Sequence, residues 1–273
     1  MFDVATLLPL LGLLMVTSAF AGILAGLLGV GGGIVLVPAF LFTFETLGYG
    51  SPWLMQICLA TSLATIIVTS ARSVMSHNKK GAVDWSILRT WAPGIAVGAL
   101  IGVAAASRLT TTFLQALFGV LAVCIGLYFA FGKREWRLAD AMPTGWKRLS
   151  LSPVVGFLSV LMGIGGGSFG VPLMTLCAVP IHRAVATAAG FGLLIAVPSV
   201  AAFLLVEIPE EVRPPLTFGA VNLGAFLIAI SMTLITAPMG AKLAHSIQDK
   251  TLRRAFAVFI LIVAVNMLRK SLF

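Results

Sequence analysis

Two stretches of this chain carry groups arranged to do chemistry, and they are copies of one another. The first is Gly29-Val30-Gly31-Gly32-Gly33-Ile34-Val35-Leu36-Val37-Pro38, and the second is Gly163-Ile164-Gly165-Gly166-Gly167-Ser168-Phe169-Gly170-Val171-Pro172. In each, a glycine cluster is followed five residues later by proline, within otherwise unbroken apolar sequence. Glycine lets the backbone turn sharply and leaves its N–H groups uncovered. If the arms that follow are helical, their first amides have no intrahelical acceptor, and the helix dipole adds about half a positive charge there. Two such ends meeting would hold an anion without a buried Lys or Arg. The predicted binding groups are therefore the backbones of Gly31, Gly32, Gly33, Gly165, Gly166 and Gly167. Hydroxyls of Thr61, Ser62, Ser168 and Thr187 would join them where their segments pack alongside.

Plainer roles compete with this chemistry. Glycines also let helices pack closely, and Thr in apolar helices often bonds back to a carbonyl four residues earlier. Arg72 lies near the end of an apolar run and can snorkel to headgroups. His77, His182 and His245 sit at loop edges, where solvation suits them better than a proton relay. Asp84 reads equally well as a helix N-cap. Gly166-Gly167-Ser168-Phe169-Gly170 fits the nucleophile-elbow pattern, but no strand precedes it and no acid accompanies it. Gly165-x-Gly167-x-x-Gly170 fits a dinucleotide fingerprint without the βαβ context. The sequence calls for no enzymatic centre, cofactor or metal. Cys58, Cys124 and Cys177 lie in apolar runs, odd in number and without C-x-x-C spacing, and read as small buried hydrophobes.

The elements that must position these groups are membrane segments. Of 273 residues, 59% are hydrophobic and 10% charged, whereas a soluble domain carries about 25% charge. Apolar runs near the roughly 20 residues that span a bilayer recur along the chain. The fold expected is an all-α integral membrane protein. The net charge of +9 resides in short loops between those runs, which marks topology and contact with lipid headgroups rather than a nucleic-acid face. The first residues lack the basic region of a secretory signal, so the first apolar run is expected to be retained.

In order, apolar runs are predicted over 7–28, 34–44, 53–75, 85–106 and 113–131. After a polar linker come 151–164, an arm to about 179, 184–206, 216–238 and 252–268. The halves align. Gly31 and Pro38 match Gly165 and Pro172, Ala60-Thr61 matches Ala186-Thr187, and Gly81-Ala82-Val83-Asp84 matches Gly219-Ala220-Val221-Asn222. Gly102 pairs with Gly240, Phe118 with Phe256, and His77 with Phe203. We expect a first transmembrane repeat over 1–132, a basic linker over 133–149 and a second repeat over 150–273.

Two topologies are compatible with this duplication. If each arm after a break crosses the membrane, there are eight spans in parallel repeats. If each broken segment folds back as a re-entrant hairpin, each half has that hairpin plus three transmembrane helices, and the repeats are inverted. The inverted arrangement leaves only Arg108, Arg213, Arg269 and Lys270 on one side. Every other Lys and Arg except Arg72 lies on the opposite side. This sharper asymmetry favours inversion, with both termini outside. The long first run, 7–28, counts against it, since a half-membrane arm needs only about 10 residues.

With these residues in view, the chain resembles the TauE/SafE family of sulfite and organosulfonate exporters. The resemblance rests on the G-x-G-G-G…P element in both halves, on Ala60-Thr61-Ser62, and on the His77…Gly81-x-Val83-Asp84 loop, and the repeat covers nearly the whole chain. It implies a secondary transporter exporting a small sulfur-containing anion (sulfite, thiosulfate or an organosulfonate) across the cytoplasmic membrane, coupled to an ion gradient. The implied partners are that anion, membrane lipids, a coupling ion and, in a homo-oligomer, further copies of the chain. Nucleic acid is not among them. Alternating access about a site at the two breaks is the expected mechanism; the alternatives are a passive anion channel and a non-transporting membrane scaffold or receptor.

Overall fold

The computed structural model describes residues 4–28, 32–132, 137–244 and 249–272. Its helices are α1 (Val4–Leu28), α2 (Gly33–Thr46), α3 (Leu54–Lys79), α4 (Trp85–Ala106), α5 (Thr111–Phe131), α6 (Gly145–Leu161), α7 (Gly167–Leu176), α8 (Ile181–Phe203), α9 (Leu223–Ala244) and α10 (Asp249–Leu272). A two-residue hairpin, β1 (Thr217–Phe218) and β2 (Val221–Asn222), precedes α9. Among the described residues, the secondary structure is helical apart from this hairpin. Among the described residues, five helical stretches are long and apolar enough to cross a membrane: α3, α4, α5, α8 and Leu223–Gly240 of α9. This is the architecture of a multi-pass membrane protein.

Glycine and proline set most of the boundaries. Both breaks end one helix and open the next, at Gly33 and at Gly167. Gly163 adopts φ +59°, a left-handed turn that closes α6. The expected run over 216–238 is corrected at its start. Leu216 and Gly219 take φ +61° and +54°, so 217–222 folds as the hairpin and α9 begins only at Leu223. Within the polar stretch 133–149, α6 begins at Gly145.

At the centre lie α3 and α8. Every residue of α3 from Leu54 to Ile66 is buried, as is every residue of α8 from Ala186 to Gly192. A helix apolar all round belongs inside a bundle rather than on its rim. Around this pair, α1 packs on α9, α6 packs on α4, and α5 packs on α10.

Small residues make these contacts close. A Cβ at Gly102 of α4 would lie 3.1 Å from the Phe157 carbonyl oxygen of α6, and one at Gly240 of α9 would lie 2.1 Å from the Ile23 carbonyl oxygen of α1. Similarly, Gly156 of α6 abuts Ile95 of α4, and Gly22 of α1 abuts Thr233 of α9. Under the sequence alignment, each member of one pair is the counterpart of a member of the other. The turn before each partner helix repeats too. Gly81 and Gly219 both take positive φ, Ala82 N–H donates to the His77 carbonyl at 3.1 Å, and Ala220 N–H donates to the Phe203 carbonyl at 2.9 Å.

Candidate functional site

The end of the first break, at Gly33, adjoins the second break near the middle of α3 and α8. Gly33, the first residue of α2, lies against the second break: a Cβ there would be 2.3 Å from the Gly163 carbonyl oxygen, 2.9 Å from Ile164 Cα and 3.0 Å from Ser62 Oγ. Gly166 is closed in by Phe191, Ala188 and Gly192 of α8, and Gly165 lies beside Ile66 of α3. Gly32 rests on Ala21 of α1, its would-be Cβ 3.2 Å from both the Ala21 Cβ and carbonyl oxygen. At each of these positions a side chain would displace a neighbour, which is why the chain uses glycine there. Gly31 lies outside the described residues.

The helix starts are uncapped by side chains. Gly32 and Gly166 occupy the N-cap positions of α2 and α7, with no side-chain oxygen bonded to the first turn. In α2 the first bonded amides are those of Val35 and Leu36, both donating to the Gly32 carbonyl at 3.0 Å. In α7, Gly170 N–H donates to the Gly166 carbonyl at 2.7 Å. The amides before these are the orphan donors that a helix start presents.

The four sequence-predicted hydroxyls divide into three roles. Ser62 Oγ donates to the Gly163 carbonyl at 2.7 Å, tying α3 to the second break. Thr61 Oγ1 accepts the Asn222 N–H at 3.0 Å, and Thr187 Oγ1 accepts the Asp84 N–H at 2.9 Å. Back-bonding does not describe them: Thr65 does bond back, to the Thr61 carbonyl, at 3.1 Å. Ser168, in the first turn of α7, is 1% exposed and its hydroxyl has no partner.

Among the other serines in that condition, Ser18, Ser51 and Ser159, two lie on the helices that flank the breaks and escaped sequence reasoning. Ser159 Oγ, in the last turns of α6 before the second break, is buried and unpartnered. Ser18 Oγ is also buried and unpartnered, one turn before Ala21 on the side of α1 that meets Gly32. Elsewhere, Thr17, Thr43, Ser152, Ser199 and Thr233 satisfy their hydroxyls on a carbonyl four residues back. The only available signal was a serine in an apolar helix within one or two turns of a glycine break.

Polar contacts cluster at each end of the bundle, including an ion pair between segments far apart in the sequence. At the end where α3 finishes, Asp84 caps α4 by accepting from the N–H groups of Ser86 and Ile87, both at 3.1 Å. Its other carboxylate oxygen accepts from Arg183 of α8 at 2.9 Å. At the end where α3 starts, Asn222 caps α9 by accepting from Ala225 N–H at 2.9 Å, and its amide donates to Pro215 and Thr217. An ion pair there joins Glu45, just after Phe44 in α2, to Lys270 of α10, whose ammonium also lies 5.7 Å from the centre of the Phe42 ring. Beside it opens an apolar cavity of about 270 Å³, lined by Leu14, Phe44, Tyr49, Pro215, Asn222 and Ile228 among others. Burial pushes the Tyr49 phenol pKa up.

The remaining candidates take the plainer roles. Arg72 and His182 are exposed, and His77 is half-buried at the end of α3. His245 lies outside the described residues. Cys58 and Cys177 are buried, whereas Cys124 is exposed, contrary to the expectation for all three. Among the described residues, buried polar side chains are Ser, Thr, Gln and Asn, with no charged group. No group of His, Cys, Asp and Glu among them could hold a metal ion.

Residues 14–267 match the profile of the family described as "Sulfite exporter TauE/SafE". A "Probable membrane transporter protein" of Haemophilus influenzae is 29% identical over 258 residues, covering 94% of this chain and 98% of that one. Proteins of the same description from Methanocaldococcus jannaschii and Bacillus subtilis are 26% and 25% identical, covering 92% and 96% of this chain and 92% and 98% of their own lengths. No solved structure matches.

Proposed function

Because the chain belongs to the TauE/SafE family of membrane transporters, we propose that it exports a small sulfur-containing oxyanion by alternating access. The site would lie where the two glycine breaks adjoin. The observation that carries this reading is the contact of Gly33, at the start of α2, with Gly163 and Ile164, just before α7. It sets the uncapped start of α2 against the turn that leads into the uncapped start of α7, beside α3. Their free amides supply positive potential, and Ser168 adds a hydroxyl donor.

Inverted repeats follow from the same reading. Thr61, early in α3, bonds to the start of α9, while the start of α4, just beyond the end of α3, bonds to Thr187, early in α8. The equivalent helices α3 and α8 therefore run in opposite directions. Exchange of the halves also carries the α1–α9 contact onto α6–α4. On this assignment the basic loops, with Lys79, Lys80 and Arg183, face the cytoplasm across the inner membrane, and Glu45 and Lys270 face outward.

Rocking of one repeat against the other would open the ends in turn. Parting Asp84 from Thr187 and Arg183 would expose the breaks inward. Parting Asn222 from Thr61, and Glu45 from Lys270, would expose them outward, through the 270 Å³ cavity. The decisive experiment is counterflow in proteoliposomes with labelled sulfite, thiosulfate and methanesulfonate. Saturable, trans-stimulated uptake of at least one is expected. Linear, unstimulated flux would instead mark a passive channel, and no flux of any of them would overturn anion transport.

A further inference from the structure

We infer that the site selects singly charged oxyanions over doubly charged ones, and that Ser18, Ser159 and Ser168 are its side-chain donors. This rests on the proposed location of the site at the two breaks.

The argument begins with what the surrounding segments lack. Residues 7–44 and 151–176, which contain both breaks, include no Asp, Glu, Lys, Arg, His, Cys or Tyr. The parts of α3 and α8 beside the breaks contribute one ionisable group, the Cys58 thiol, which is wholly buried. The positive potential there comes from the starts of α2 and α7, each equivalent to about half an elementary charge. Together they match about one negative charge. A second would be buried without compensation, which a low-dielectric interior penalises heavily.

The hydroxyls supply an independent observation. The buried, unpartnered side-chain oxygens among the described residues are those of Ser18, Ser51, Gln56, Ser159 and Ser168. Three of these five lie on the helix segments that flank the breaks: Ser168 in the first turn of α7, Ser159 in α6 two residues before its end, and Ser18 one turn before Ala21, the residue against Gly32. Serine in an apolar helix ordinarily bonds back to its own backbone. Buried hydroxyls left without an acceptor carry a desolvation cost, and a bound oxyanion would remove it. Neutral donors orient an oxyanion without adding the charge that a dianion would require.

The test is saturable uptake into proteoliposomes of labelled methanesulfonate, a monoanion at every working pH, with sulfate and thiosulfate as dianionic competitors. Methanesulfonate should compete at least tenfold better than either dianion. Sulfite uptake should rise as pH falls through the bisulfite–sulfite ionisation near neutrality, while methanesulfonate uptake stays flat. Ser18→Ala, Ser159→Ala and Ser168→Ala should each raise the half-saturating methanesulfonate concentration severalfold, without lowering the thermal midpoint of the purified protein. Dianions competing as well as methanesulfonate would overturn the charge assignment while leaving export intact. Unchanged half-saturation in all three variants would overturn the donor set. Absence of uptake for every anion would overturn the export reading and this inference with it.

Discussion

The Thr61 hydroxyl accepts the backbone N–H of Asn222 at 3.0 Å across 161 residues of chain. Its counterpart in the second half, Thr187, does the same for Asp84, the counterpart of Asn222, at 2.9 Å across 103 residues. Each half thus holds the N-cap residue of a helix belonging to the other. The arrangement satisfies two amides just before helices begin, and it ties the repeats together at opposite ends of the bundle.

Replacing either threonine with valine keeps the shape and removes the acceptor. An orphaned buried amide costs about 1–3 kcal/mol. Thr61→Val and Thr187→Val should each lower thermal stability in detergent, and Thr61→Ser and Thr187→Ser should recover most of the loss. Equal stability of valine and serine variants would show that the hydroxyls are not needed as acceptors.

Asp84 combines a cap with an ion pair, and the two can be separated. Asp84→Asn retains a side-chain oxygen for Ser86 and Ile87 but loses the charge facing Arg183, as the Asn already present at 222 illustrates. The Arg183 side chain is 54% exposed, so solvent screening limits the pair to about 1 kcal/mol or less. Asp84→Ala also loses the cap, worth about 0.5–2 kcal/mol. Denaturation should rank wild type at or slightly above Asp84→Asn, and Asp84→Ala clearly below both.

The ion pairs should matter more for sidedness than for stability. In a cysteine-free background carrying Ser168→Cys, an impermeant thiol reagent reports access to the second break. Asp84→Asn with Arg183→Gln should increase labelling from the end where α3 finishes, and Glu45→Gln with Lys270→Gln from the other end. Equal gains at both ends, or none, would exclude these pairs as alternate closures.

Close helix approach gives a steric prediction. A Cβ at Gly98 would fall 1.9 Å from the Pro153 carbonyl oxygen, whereas one at Gly12 would meet nothing within 4 Å. Gly98→Ala must push α4 away from α6 and should cost about 1–3 kcal/mol. Gly12→Ala, in the middle of α1, should stabilise by about 0.5–1 kcal/mol. Thermal unfolding of the two variants checks both signs.

Much of the fold was legible because its signals are local. Glycine clusters and prolines interrupt apolar runs wherever they occur, so the breaks before Gly33 and Gly167 and the span Trp85–Ala106 could be read directly. The hairpin over 217–222 was not legible, since its residues are as apolar as a helix start and only the backbone conformations at Leu216 and Gly219 separate it from α9. The glycines that pack closely at the two breaks were legible, whereas the partners of the hydroxyls were not. Thr61 and Thr187, expected among the binding hydroxyls, accept backbone amides, while Ser18 and Ser159 carried no motif at all.

By itself, the sequence determined that this is a helical membrane protein interrupted at two glycine-rich points. Those features depend on hydrophobic periodicity and on the backbone freedom of glycine, both properties of a few neighbouring residues. Only the tertiary structure decided which hydroxyls are committed and which are free. A hydroxyl's partner is set by which helices cross beside it, and here those helices lie as far as 161 residues away along the chain.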